Sequence, residues 1–318
     1  MGSYLVRRLG GAVLSLLLVT IALTLLIHVV PGDPVVKILG PRATPELIES
    51  VRAEMDLDEP FPMQVWLFVQ GAVQGDLGND FTTREPVTGQ ILAVLPNTII
   101  LAVTGLLLAT LIGIPLGVLA ATHAGSWLDR VTGAVSIAFT SLPTYVVGLL
   151  LLLLFAVRLD WLPAIGAGDL ADPVDYARHL ILPVIALAVG WIGYLARLLR
   201  ASLLEVLNEN YVRTARSWGV SERIVVYRFA LKNALIPTVA VLGVGLGYLM
   251  GGAIFVELIF TRNGLGSLAQ TAIEERNYPV VRGTALVIAV LFIAANILAD
   301  LSYRILDPRI RLDDEELV

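Results

Sequence analysis

Few residues in this chain have the types and spacing that chemistry needs. Cleaving a nucleoside triphosphate would call for a glycine-rich loop ending in lysine and serine or threonine, whose backbone amides and ammonium cradle the phosphates. The chain has two lysines, Lys37 and Lys232, and neither completes Gly-x-x-x-x-Gly-Lys-Ser/Thr. His28, His123 and His179 are scattered, with no His-Glu-x-x-His pair to seat a metal. There is no cysteine, hence no thiolate site or disulfide. No Gly-x-Ser-x-Gly appears, so a hydrolase nucleophile has nothing to stand on.

The informative stretch runs from Arg197 to Asn233. It collects seven basic residues, Arg197, Arg200, Arg213, Arg216, Arg223, Arg228 and Lys232, against Glu205, Glu209 and Glu222. Leu207, Tyr211, Ala215 and Trp218 recur at helical spacing on one face, and Glu209, Arg213 and Arg216 fall on another, which predicts an amphipathic helix. Gly219 supplies a stop by tolerating positive φ, and Ser221 before Glu222 offers an N-cap and first-turn acid for a second helix. Pattern alone leaves two readings of this helix-turn-helix. One is an interfacial helix holding arginines against anionic lipid; the other is a docking surface for a partner.

Ionisable residues near apolar spans are the next candidates, because charge in hydrocarbon is costly. Arg197, Glu257 and Asp300 all sit near predicted span ends, where interfacial solvation is the plain reading. Glu257 is the best placed to face an outer cavity and receive a cationic or amine group. Glycines crowd one run as Gly243, Gly245, Gly247, Gly251 and Gly252, and Gly113 with Gly117 repeats the theme. Close helix packing explains them, and lining of a permeation path is compatible with it. Glu257, Gly247 and Gly251 are therefore the expected path residues.

The elements that carry these residues follow from composition. With 57% hydrophobic residues, 15% charged residues and a mean hydropathy of +0.81 over 318 residues, the chain is too apolar to hide inside one soluble core. A bilayer core of roughly 30 Å needs about 20 apolar residues in a helix. Six runs qualify, 9–30, 98–122, 132–157, 180–199, 234–260 and 283–306, in a single transmembrane domain over residues 1–318. They do not alternate as barrel strands would. The first lacks a small-x-small cleavage site and reads as a retained helix, not a signal peptide.

Basic residues are held on the cytoplasmic side, so Arg7 and Arg8, the 197–233 connection and the tail with Arg304, Arg309 and Arg311 all belong inside. Both termini are then cytoplasmic. The outer segment 31–96 has four basic residues against ten acidic ones and contains a short helix from Pro45 to Met55 capped by Thr44. No basic domain of the kind that binds nucleic acid stands free of the spans.

The run Tyr211-Val212-Arg213-Thr214-Ala215-Arg216-Ser217-Trp218-Gly219, followed by Lys232-Asn233-Ala234-Leu235-Ile236-Pro237, resembles the loop by which ABC importer permeases dock on their ATPases. The general motif opens Glu-Ala-Ala where this chain has Arg213-Thr214-Ala215; the dipeptide, oligopeptide and nickel importer subfamily is more similar. Pro31-Gly32-Asp33-Pro34, Gly75-Asp76-Leu77-Gly78, Gly113-Ile114-Pro115-Leu116-Gly117, Ser141-Leu142-Pro143, Trp161-Leu162-Pro163, Gly251-Gly252-Ala253 and Asp307-Pro308-Arg309-Ile310-Arg311 extend the resemblance in the same order along nearly the whole chain.

This resemblance implies an all-α type I ABC importer permease fold of about six transmembrane helices in a bacterial plasma membrane. It also implies a related second permease, two cytoplasmic ATPase subunits that hold ATP and Mg, and an external solute-binding protein. Tyr211, Arg213, Ala215, Arg216, Gly219, Val220, Ser221 and Arg223 would be the coupling residues, and this chain would bind no cofactor. Dipeptides, oligopeptides, glutathione and nickel complexes are all carried by relatives. A self-sufficient secondary transporter should instead show two repeats with broken helices and mid-membrane ionisable groups, and an intramembrane enzyme should show paired catalytic side chains; neither pattern is evident.

Overall fold

The computed structural model describes residues 2–29, 35, 44–54, 57–169 and 171–306. The motifs Pro31-Gly32-Asp33-Pro34 and Asp307 to Arg311, and the side chains of His28 and Asp300, lie outside the described residues. Among those described the fold is helical, and the one bridge between extended residues pairs Asn79 with Pro86.

In chain order the helices are α1 Gly2–Val29, α2 Pro45–Glu54, α3 Phe61–Val73, α4 Val87–Thr122, α5 Trp127–Ser141, α6 Thr144–Arg158, α7 Pro173–Leu207, α8 Asn210–Ser217, α9 Glu222–Ile259, α10 Leu265–Glu275 and α11 Tyr278–Leu306. Among the described residues, five are long and apolar enough to cross a membrane, or six if α5 and α6 count as one bent span. That pair is where the sequence expectation of one run over 132–157 departs most from the structure. The two helices meet at 99°. Pro143 has no N–H to continue α5, so α5 stops at Ser141 and α6 restarts after the proline, whose φ is -61°.

Several helices outrun the apolar windows. α7 begins at Pro173, where the Asp172 carboxylate accepts from the amides of Val174 and Asp175 at 3.0 and 3.2 Å and Pro173 occupies the first helical turn. At its other end α7 continues through Arg197 and Arg200 to Leu207. The polar connection is thereby shorter than the basic stretch suggested. Two segments are π-helical: Leu152–Arg158 closes α6, and Val225–Ala230 lies near the start of α9.

Contacts gather in two compact units. The first comprises Met1–Thr98 with Arg262–Ile293. Its core joins Phe68 of α3, Leu77, Val87 and Ile91 of early α4, Leu265 and Ala272 of α10, and Val280 and Val281 of α11. Gly283 lets α11 close on Val87, since a Cβ there would stand 2.8 Å from a Val87 methyl. Arg282 lies over the Phe68 ring at 4.7 Å, a cation–π contact.

The second unit comprises Ile99–Thr261 with Ala294–Val318. α7 is its central element, packed against α5, α6 and α9. Its interior is built on Ala109, Ala188, Ile192 and Leu195, and a second cluster of Val118, Ala121, Leu199, Leu203, Val212, Ala215, Val225, Val226, Ala230 and Ala234 brings α8 and the start of α9 onto α7 and α4.

Candidate functional site

The connection after α7 forms a tight hairpin. α8 is two turns long, and Trp218 closes it. Gly219 then adopts φ +75°, its amide donating to the Arg216 carbonyl at 3.0 Å while the Val220 amide donates to the Ala215 carbonyl at 3.3 Å. This paired bonding is the Schellman termination, and the packing of Val220 near Ala215 completes it. A Cβ built on Gly219 meets nothing within 4 Å, so conformation and not space requires glycine here. Ser221 begins α9 with extended backbone, its carbonyl accepting from Ile224 and Val225. Its hydroxyl makes no capping bond, so the cap expected from the sequence is a backbone feature only.

The buried stripe of α8 is also not the expected one. Val212 and Ala215 are buried, whereas Tyr211 is 41% and Trp218 80% exposed. A helix of two turns can bury only a narrow arc, and residues three apart reach the α7–α9 floor where the longer four-four-three stripe would need a third turn. Arg213, Gly219, Ser221 and Arg223 are exposed and Val220 is half-buried, so the tip presents a tryptophan among cations. Ala215 faces inward and supports the tip from below.

Two expected surface residues are engaged within the hairpin. The Arg216 guanidinium donates to both carboxylate oxygens of Glu222, at 3.1 and 2.7 Å, and to the Leu207 carbonyl at 3.1 Å. The Tyr211 hydroxyl donates to the Phe229 carbonyl at 3.4 Å and accepts from Asn233 at 2.8 Å. Both side chains position the hairpin in addition to whatever they present outward.

The path candidates separate. Glu257 is 1% exposed, inside the packing of α9, and does not face an open outer cavity as the sequence suggested. Its place on the helix face that also buries Ala253 and Val256 accounts for this. Gly247 is buried, while Gly251 is exposed with no atom within 4 Å of a Cβ. Gly113 and Gly117 of α4 serve packing: a Cβ would come within 3.0 Å of the Ile192 carbonyl or 2.8 Å of that of Ala196 on α7. Arg197 donates to the Thr140 hydroxyl at 3.2 Å.

Sequence reading missed two polar nodes. In the second unit Arg200 grips Asp129 at 2.5 and 2.7 Å, and Asp129 also accepts from the Gly125 amide at 2.9 Å. In the first unit Asp80, itself buried, accepts from the amides of Thr82 and Thr83 at 2.7 and 3.0 Å, from Gln90 at 2.8 Å and from Asn277 at 2.6 Å. Burial alone would raise the Asp80 pKa, but the donors from Gln90, Thr83, Thr82 and Asn277 outweigh it and hold the carboxyl below its ordinary value. The signal for this node was the run Asp80-Phe81-Thr82-Thr83, which has the form of an Asx turn.

The family model for binding-protein-dependent transport system inner membrane components matches residues 113–312, and the model for the N-terminal part of such components matches residues 1–102. Glutathione transport system permease proteins GsiC of Escherichia coli strain K12, of E. coli strain CFT073 and of Shigella dysenteriae serotype 1 are each 38% identical over 309 residues, covering 97% of this chain and 99% of the relative. Among solved structures, an inward-facing MetNI methionine ABC transporter chain is similar with a TM-score of 0.60 at 20% identity, over 70% of this chain and 99% of that one. A chain of an amino acid ABC transporter with histidines is similar at 0.53 and 18% identity, over 68% and 94%. Those two likenesses bear on the fold alone.

Proposed function

This chain belongs to the family of binding-protein-dependent transport system inner membrane components and is a permease subunit of an ATP-driven importer, and we propose that it forms half of a path for glutathione or short peptides. The relatives named for glutathione support that cargo class over nickel complexes. Membership implies ATPase and binding-protein partners; our reading is that two cytoplasmic ATPase subunits hold ATP and Mg, that a second, related permease supplies the other half of the path, and that this chain has no ATPase site. The basic connection around α8 and both termini lie on the cytoplasmic side of a bacterial inner membrane, and the acidic 31–96 segment lies outside, where it meets the binding protein.

The observation that carries this reading is the exposed, glycine-turned tip between α7 and α9, the only part of the described chain where a short helix with a cationic, aromatic surface hangs between two long apolar helices. Arg213, Gly219, Val220, Ser221 and Arg223 are the contact residues, and Tyr211, Ala215 and Arg216 hold them in place. Closure of the ATPase subunits moves this tip as a body and tilts the helices attached to it. Gly247 and Gly251 remain the path candidates of α9.

Reconstitution of the complete complex tests it. Uptake of glutathione should require ATP, the ATPase subunits and the binding protein, and Gly219→Pro should leave the chain inserted but abolish uptake while hydrolysis continues. Uptake driven by an ion gradient with this chain alone would point to a secondary transporter and end the proposal.

A further inference from the structure

The three nitrogens of the Arg216 guanidinium reach three oxygens on two residues. Nε and Nη2 donate to the Glu222 carboxylate in the first turn of α9, and Nη1 donates to the carbonyl of Leu207, the last residue of α7. Arg216 itself stands in the last turn of α8. One planar, rigid group thus joins the end of one long helix, the short helix of the hairpin and the start of the next long helix. Each contact also answers a local need. The Leu207 carbonyl is among the last of α7, which lack intrahelical donors, and an acid at the start of α9 is favoured by the helix dipole.

We propose that Arg216 is a positioning residue for energy coupling, a role that rests on the docking of the ATPase at this hairpin. It fixes α8 to both flanking helices, so that displacement of the tip reaches α7 and α9 together and is not absorbed by the short connections at Asn208–Glu209 and Gly219–Ser221. The pair is partly exposed, with the Arg216 side chain 39% and that of Glu222 60% accessible, so it contributes little to stability by itself. Its effect lies in geometry, which is why transport and docking respond differently to its loss. The Tyr211 contacts with Phe229 in the π-helical segment and Asn233 just beyond it fasten α8 to the first turns of α9 but do not reach α7.

The chain has no cysteine, so Ser221→Cys gives one site from which cross-linking to the ATPase reports docking. In the complete complex in proteoliposomes, two quantities are read: the cross-linking yield and the cargo moved per ATP hydrolysed. Arg216→Gln should keep the yield and lower the ratio about fivefold, the lower end of usual coupling effects. Arg216→Lys, which retains charge without the fork, should fall between the two. Arg216→Glu combined with Glu222→Arg should recover more of the ratio than either single change.

A loss of cross-linking in Arg216→Gln with an unchanged ratio in the remaining complexes would make Arg216 an ATPase contact and overturn the proposal. Parental values of both quantities would overturn it too, as would disappearance of the chain from the membrane, which would assign Arg216 to folding. Failure of Ser221→Cys to cross-link before any change at Arg216 would instead remove the docking surface, and this proposal with it.

Discussion

Glycine does opposite work in two parts of the second unit. Around α7, Gly193 and Gly245 sit where nothing else fits: a Cβ on Gly193 would stand 2.5 Å from the Ser136 carbonyl, and one on Gly245 of α9 would stand 2.7 Å from the Trp191 ring of α7. In the hairpin, Gly219 has open space around it and a backbone that L-residues adopt with strain. The first kind permits helices to approach, and the second reverses the chain so that a surface is displayed. The interior therefore answers to volume, and the hairpin answers to backbone angle.

Substitutions that separate volume from angle test this contrast. Gly193→Ala should have the largest effect, a loss of about 3 kcal/mol, because the obstacle is the α5 backbone and cannot rotate away; a thermal midpoint in detergent equal to that of the parent would break the contrast. Asp80→Ala in the first unit comes next, at about 2 kcal/mol, since it strands the buried Asn277 amide and takes the acceptor from the part-buried donors of Thr82, Thr83 and Gln90. The same carboxyl predicts a pH effect. Its folded-state pKa lies below the ordinary 3.8, so its contribution is complete above that value and is lost as pH falls through the folded pKa. The midpoint of the parent should therefore drop in acid below about pH 3.8, and that of Asp80→Asn should drop less.

Gly219→Ala should lose only about 1 kcal/mol, with Gly219→Asn losing less, because asparagine enters the left-handed region more readily. Equal losses for alanine and asparagine would mean that space, not angle, rules the tip. Gly251→Ala is the control. Its Cβ meets no neighbour, and a change within about 0.5 kcal/mol is expected.

How much of this could be read from residues alone depended on whether the cause was local. The apolar runs and the Gly219 stop were legible, since hydropathy and a lone glycine before Ser221-Glu222 act within a few positions. The 99° break was signalled by Pro143, yet its size depends on how α5 and α6 pack on α7. Arg216 was recognised as special but assigned outward, because its partners Leu207 and Glu222 become neighbours only once the chain has turned. Glu257 and Asp80 exchanged places for the same reason: the residue expected to meet solvent is buried, and an acid in a polar loop anchors a buried network with Asn277, nearly two hundred positions away. The π-helical segments have no pattern that separates them from ordinary helix.

The length of α7 has a mechanical consequence. Its 35 residues span about 50 Å, against a hydrocarbon thickness of about 30 Å, so about 20 Å of helix stands clear of the lipid. With the apolar run at 180–199, that surplus divides between the two ends, about 10 Å over Pro173–His179 and about 12 Å over Arg200–Leu207, where the hairpin is attached. A sideways push of about 3 Å on that arm of about 12 Å would turn a straight α7 by about 14° about the membrane surface, and its far end, about 40 Å away, would swing by a larger distance than the push itself.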